Sequence, residues 1–274
     1  MRARKRFGQH FLERTWVDKV IRAIDPGPAD VFVEIGPGRG ALTAPLVAAS
    51  LRVVAFEIDR DLAKTLASDA GPTLTIVPGD FLRTTAEILT TSLGGRTRIR
   101  VAGNLPYNVA SPIMFKLVEL FRAGLPFADA TLMLQKEVAD RVLASPGTKD
   151  YGVLTLILRQ AADADRLLAL PPGAFRPQPK VQSSLIRLRF HPDNPAVSSP
   201  KTFTKLIQSA FSRRRKTLSN SLAGFEPDRQ AVLTVLDQAS IDGQRRPETL
   251  SIGEFATLAN LFAQRRGPIT PPVL

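Results

Sequence analysis

Five short apolar runs in the first half of the chain are separated by amphipathic segments, and that alternation restricts the fold more than any other feature. The runs are VFVEIG (31–36), RVVAFEI (52–58), TLTIVPG (73–79), RIRVAG (98–103) and ATLMLQ (130–135). Between them lie segments with helical spacing, such as ALTAPLVAAS (41–50) and DRDLAKTLASDA (59–70). Parallel strands need crossovers of about a dozen residues, which helices of this length supply. The runs are apolar almost throughout, as expected of strands covered on both faces. The prediction is an α/β, Rossmann-like, mostly parallel sheet with helices on both sides.

TWVDKVIRAI precedes the first strand as a short helix. Further on, YGVLTLILRQ (151–160) fits a helix, and ADRLLAL and QSSLIRLRF fit strands that extend the sheet. HPDNPAVSSP (191–200) has no periodicity and reads as a linker. After it, KTFTKLIQSAFS, PDRQAVLTVLDQAS and SIGEFATLANLFAQ show helical spacing and no strand pattern. The expected division is a catalytic sheet domain over 1–190, a linker over 191–200 and a small all-helical domain over 201–274.

The loop VEIGPGRGALT follows a strand and opens a helix, so Gly36, Gly38 and Gly40 allow a tight turn and close approach of a ligand to the helix N-terminus. Residues 36–41 also satisfy the loose G-x-G-x-x-A dinucleotide pattern, which keeps nicotinamide or flavin binding, or a plain turn, open. Glu57, 21 residues after Gly36, stands where a carboxylate accepts both hydroxyls of a ribose. Asp80, at the third strand end, stands where it could accept from an adenine amino group. Three acids at successive strand ends, Glu34, Glu57 and Asp80, repel a pyrophosphate but suit the sulfonium and ammonium of S-adenosylmethionine. The balance favours that cofactor.

If so, NLPY (104–107) at the end of the fourth strand locates the methyl acceptor. An exocyclic adenine amine is a poor nucleophile because its lone pair is delocalised into the ring. Acceptors for both of its hydrogens draw the nitrogen toward tetrahedral geometry. The Asn104 side-chain oxygen and the Leu105 carbonyl can serve, aimed by the turn that Pro106 stiffens. Tyr107 offers a face for a flipped-out base. An Asx-type turn with a packed aromatic is the plain alternative. Phe175, in PPGAFRPQPKV, is a candidate second stacking aromatic, and equally a buried loop anchor.

The chain has no Cys, which excludes the thiolate-adduct route to pyrimidine carbon and a radical iron–sulfur cluster. With two His, a histidine-rich metal site is not expected, and no metal is assigned. Net charge is +12, and nine of the excess positive charges lie in residues 1–25 and 201–274. Basic ends on a near-neutral body suit a polyanion such as RNA, or simply confer solubility. Arg213, Arg214, Arg215 and Lys216 form a cluster that could grip phosphates or be a solvated helix end. No apolar run approaches the roughly 18–20 residues of a membrane span, and MRARKRFGQHFL has no apolar signal core, so a cytoplasmic location without membrane contact is expected.

KRFGQHFL, VEIGPGRGALT, FEID, GDF, NLPYNVASPI, FRPQPKVQSSLIRL and FSRRRKTLSNSL, in this order, resemble the small-subunit (16S) ribosomal RNA adenine N6-dimethyltransferases almost from end to end. The erythromycin-resistance methyltransferases of 23S rRNA and the mitochondrial transcription factors B are relatives of that family. The resemblance implies a methyltransferase sheet with a helical RNA-binding domain, acting as a monomer on 16S rRNA in an assembling 30S particle. The implied reaction is dimethylation of two adjacent adenosines in the 3′-terminal hairpin loop, with S-adenosylmethionine as donor. It implies that His10 and Leu12 touch the cofactor together with Gly36, Glu57, Asp80 and Asn104, beside the Glu34 and Gly38 already read as cofactor-binding from the strand end and the glycine turn. It also matches Asn104, Leu105, Pro106 and Tyr107 to the catalytic motif, and Phe175 to the second stacking aromatic. One departure is Gln182, where the family usually has Asp.

Overall fold

The structure is a computed structural model, and it describes residues 10–68, 70–95, 98–213 and 215–265. Contacts divide the chain into two compact units: residues 1–140 with 163–190, and residues 141–162 with 191–274. This differs from the division read from sequence. Residues 141–162 belong with the helical unit although they lie between two segments of the sheet unit. Residues 191–200 are likewise part of that unit: the His191 and Asn194 N–H groups donate to the Ala161 and Gln160 carbonyls, and the Ser198 N–H donates to Asn260 Oδ1.

In the sheet unit the strands are β1 (Phe11–Leu12), β2 (Val31–Ile35), β3 (Arg52–Glu57), β4 (Leu74–Pro78), β5 (Ile99–Asn104), β6 (Phe127–Gln135), β7 (Ala162–Leu170), β8 (Phe175–Arg176) and β9 (Ser183–Phe190). The helices are α1 (Arg14–Ile24), α2 (Thr43–Ala49), α3 (Arg60–Ser68), α4 (Ala86–Leu93), α5 (Ala110–Arg122) and α6 (Lys136–Leu143), whose residues from Arg141 on belong to the helical unit. The main sheet has seven strands in the order β4-β3-β2-β5-β6-β9-β7. β4, β3, β2, β5 and β6 run parallel, and β9 pairs antiparallel to β6. β1 and β8 form a separate antiparallel pair.

Burial explains why the five runs are strands. β2 is buried at all five positions and β5 at its first five, so their side chains pack against helices above and below. The same covering explains why β9 lacks clean alternation: Ser183 through Ile186 are all buried, so neither face reads as polar. α5 buries Ala110, Ile113, Met114, Leu117, Val118 and Leu120, the stripe of a helix laid on a sheet. From β2 the chain proceeds to β3 and β4 on one side, whereas β5 and β6 lie on the other. The switch point where ligands bind in such sheets is therefore between β2 and β5, beyond their carboxyl ends.

In the helical unit, α7 (Val153–Ala161), α8 (Pro200–Phe211), α9 (Leu218–Ser221), α10 (Arg229–Gln238) and α11 (Ile252–Arg265) enclose a core that includes Tyr151, Phe203, Leu206, Ile207, Val235, Phe255 and Phe262. α8 begins where the sequence signals it: the Ser199 hydroxyl accepts from the Thr202 N–H, and Pro200 occupies the first turn. Among the described residues no helix is long and apolar enough to cross a membrane.

Candidate active site

Three chain segments meet at the carboxyl ends of β2, β3 and β5. The turn after β2 is glycine-rich because Gly36, Gly38 and Gly40 all have positive φ. At Gly38 there is a second reason, since a Cβ would lie 3.3 Å from the Phe11 ring. Gly103, in β5, answers to close approach alone: a Cβ there would lie 2.7 Å from the Ile35 carbonyl oxygen. The two central strands therefore come together tightly where the pocket opens.

Glu57 organises this turn. Its Oε2 accepts from the Gly38 N–H (2.9 Å) and its Oε1 from the Asp59 N–H (2.9 Å), leaving each oxygen a further lone pair. Burial raises its pKa, the Asp59 and Gly38 hydrogen bonds oppose the rise, and the Asp59 charge adds to it. Glu34 is buried more completely. Burial pushes its carboxyl up to about 8, the Thr43 hydroxyl offsets part of that, and the Glu57 charge adds to it. Glu34 Oε2 has no hydrogen-bond partner. A buried carboxyl oxygen without a partner is costly, and it lines an open pocket, so a ligand that donates to it recovers that cost.

On the β5 side, Asn104 Nδ2 donates to the His10 carbonyl (2.7 Å). A carbonyl only accepts, so the amide orientation is settled and Asn104 Oδ1 remains an acceptor. The Tyr107 hydroxyl is 2.9 Å from Ser183 Oγ. Burial raises the phenol pKa, the Ser183 contact opposes this, and the ring stays neutral and held at its tip. The His10 imidazole stacks on Tyr107, with centroids 5.5 Å apart and planes at 24°.

The pocket is lined by His10, Leu12, Glu34, Gly36, Gly38, Glu57, Asn104, Leu105, Pro106 and Tyr107. Two predicted residues are not brought there. Asp80 does not line the pocket; its Oδ1 caps the turn after β4 by accepting from the Leu82 N–H (3.0 Å). Phe175 is buried in the hydrophobic cluster with Leu12, Val20, Leu170 and Leu185, so the structure gives it the loop-anchor role left open by the sequence. Arg213, Arg215 and Lys216 are exposed after α8, and Arg214 lies outside the described residues. Gln182 presents its carbonyl to the Lys136 N–H (2.9 Å) and its side chain is exposed, so the departure from Asp leaves that pairing intact.

Sequence reasoning missed Ile58, Arg39, Met133 and Ser183. Ile58 is 48% exposed at the pocket rim, and an apolar residue directly after Glu57 was the available signal. Ser183 carried none, because only the pairing of β9 with β6 brings it to Tyr107.

The family model described as ribosomal RNA adenine dimethylase matches residues 1–264. The chain belongs to that family. It is 41% identical over 264 residues to ribosomal RNA small subunit methyltransferase A of Acinetobacter baylyi, covering 94% of this chain and 92% of that one. The namesake from Xylella fastidiosa strain Temecula1 is 41% identical over 262 residues, with 94% and 95% covered. Among solved structures, a dimethyladenosine transferase from Plasmodium falciparum superposes with a TM-score of 0.71 at 24% identity, covering 91% of this chain and 96% of the other. The 23S rRNA methyltransferase ErmE gives 0.64 at 24% identity, with 92% and 98% covered. These two establish the methyltransferase fold. Within an adenine dimethylase, the free Asn104 oxygen beside the Tyr107 ring acquires a specific use.

Proposed function

We propose that this enzyme dimethylates the N6 amines of two adjacent adenosines in the 3′-terminal hairpin loop of 16S rRNA, on a 30S particle or its precursor, with S-adenosylmethionine as donor. The observation that carries the reading is the Asn104 amide: its nitrogen is tied to the His10 carbonyl, and its oxygen is left to accept from an adenine amine. The name small subunit methyltransferase A, borne by the relatives that span nearly this whole chain, supports the choice of 16S rRNA.

The pocket fits the donor. Glu34, with an unpartnered oxygen, suits an ammonium, and Glu57 retains a lone pair on each oxygen for ribose hydroxyls. Ile58 at the rim offers an apolar surface for a purine. S-adenosylmethionine supplies an electrophilic methyl group on a sulfonium. Asn104 Oδ1 and the Leu105 carbonyl accept the two N6 hydrogens, which frees the nitrogen lone pair in line with the methyl. Tyr107 stacks the base, and Ser183 holds the Tyr107 ring. With the donor bound, the methyl would pass from sulfur to that nitrogen, leaving a neutral thioether, and the amine would then lose a proton to water. The rate gain comes from alignment and electrostatics. RNA loops are suited to this because their bases are already unstacked.

Arg213, Arg215 and Lys216 are assigned to rRNA phosphates, and removing these three charges reduces the slope of log affinity against log salt by about 2. Incubation of labelled S-adenosylmethionine with undermethylated 30S particles, 50S precursors and duplex DNA tests the substrate. Label in the 30S hairpin adenosines is expected, and label confined to the 50S or DNA arms refutes the assignment.

A further inference from the structure

We propose that the His10 imidazole is a placeholder in the seat of the acceptor base, displaced by the adenine as it reaches Asn104. The inference rests on the reading of Asn104–Tyr107 as the adenine site. The sequence resemblance assigned His10 to the cofactor; in the structure its ring lies on the aromatic face that reading gives to the base.

The stack decides the matter sterically. The ring centroids are 5.5 Å apart and the planes nearly parallel. A third ring between them needs a van der Waals layer of about 3.5 Å on each side, roughly 7 Å in all. A base therefore cannot lie between the two rings as they stand, and the face becomes free when the imidazole leaves.

The residue is built to move at its side chain alone. Its backbone is held from both directions: the carbonyl accepts from Asn104 Nδ2, and the next two residues pair with β8 as Phe11 with Arg176 and Leu12 with Phe175. Phe11 also packs against Gly38 under the Arg39 guanidinium, 4.2 Å from its ring centroid. The imidazole is held by less. Its Nδ1 donates to the Pro177 carbonyl (2.7 Å) in an exposed bond, so water can replace that partner when the ring swings out. One residue thus covers the stacking face with its ring, while its carbonyl holds the Asn104 nitrogen and leaves the Asn104 oxygen to the adenine. Only a ligand that stacks on the phenol recovers what the imidazole gives up. His10 is in this sense a specificity-determining residue for the acceptor.

The test compares wild type, His10→Ala, His10→Ser and His10→Trp in two assays. The first is methyl transfer to undermethylated 30S particles. The second is fluorescence of a hairpin RNA carrying 2-aminopurine at the acceptor position, where stacking quenches emission. Two small variants are included so that misfolding of one, read by thermal melting, leaves the other informative. The expected result is a KM for RNA lowered ~3- to 10-fold in the small variants, the worth of the one aromatic stack that the imidazole gives up. Deeper quenching accompanies it, and KM rises in the Trp variant. A raised KM in the small variants that His10→Trp restores overturns the proposal, because the ring would then be a wall the base needs. Identical KM and quenching across all four proteins overturn it as well. If wild type methylates no 30S particle, the substrate assignment fails, while the quenching series still decides the placeholder.

Discussion

The amino ends of β2 and β5 bury a completed polar cluster, whereas the carboxyl ends of the same strands bury an incomplete one. At the amino ends, Arg100 is 7% exposed at its side chain and every guanidinium nitrogen is engaged. Nε donates to both Asp129 oxygens, one terminal nitrogen to Asp30 Oδ2 and the Asp25 carbonyl, and the other to the Ile24 carbonyl. Arg187 adds donors to the Ala23 and Ile24 carbonyls. The two arginines together satisfy carbonyls that the end of α1 leaves open, where a cation also complements the helix dipole. Burial alone would raise the Asp30 carboxyl, but the Gly27 N–H and the Arg100 guanidinium outweigh it and hold it below the ordinary range. At the carboxyl ends burial outweighs the Thr43 hydroxyl and raises the Glu34 carboxyl instead. A closed cluster holds the fold, and an open one awaits a ligand.

The largest effect should come from breaking the closed cluster. Arg100→Ala leaves the Asp129 carboxylate and the Asp25 carbonyl without their arginine donor and Asp30 with the Gly27 N–H alone, and a loss of about 3–5 kcal/mol is expected in denaturant unfolding. At the open cluster, Asn104→Ala should instead remove ~10²–10³-fold of methyl transfer, the scale for one aligned polar group at a reacting centre, or about 3–4 kcal/mol. Its stability should fall by about 1 kcal/mol or less, from the loss of the single bond to the His10 carbonyl. Large unfolding losses in both variants would erase the contrast.

Glu34→Gln sharpens the contrast by pH. The folded pKa of about 8 lies above the ordinary glutamate value of 4.5. Protonated Glu34 therefore contributes fully below the lower value, and that contribution is lost as pH rises through the upper one. Gln cannot ionise, so the variant should gain on wild type between these limits by at most about 5 kcal/mol, read from denaturation midpoints across pH. Parallel curves would mean that Glu34 is already charged and partnered. The smallest effect is expected for Ser183→Ala: about 1 kcal/mol from an unpartnered Tyr107 hydroxyl, with a modest rise in the KM for RNA.

Much of the open end was legible beforehand. Glu34 and Glu57 sit at the ends of apolar runs, Gly36, Gly38 and Asn104 to Tyr107 come at or just after such ends, and in a parallel sheet every such run delivers its last residues to one edge. Asp80 shows the limit of that rule: it does follow a run, yet its carboxylate is used locally on the Leu82 N–H. Phe175 shows a second limit, since a proline-braced aromatic reads alike whether it faces a ligand or a core. The closed end was not legible at all, because Arg100, Asp129 and Arg187 come from three strands and meet α1 only through strand order.

From its own residues the chain determined a parallel sheet with ligand chemistry at the carboxyl edge and helices at the C-terminus, because periodicity and strand-end residues are local properties. Tertiary structure alone decided that residues 141–162 join the helical unit, that Ser183 holds Tyr107, and that β1 pairs with β8 and sets His10 on the Tyr107 ring. The physical reason is that a side chain's pattern specifies which face it buries. Its partner across the chain is selected only when all the faces are packed and the polar groups between them are counted.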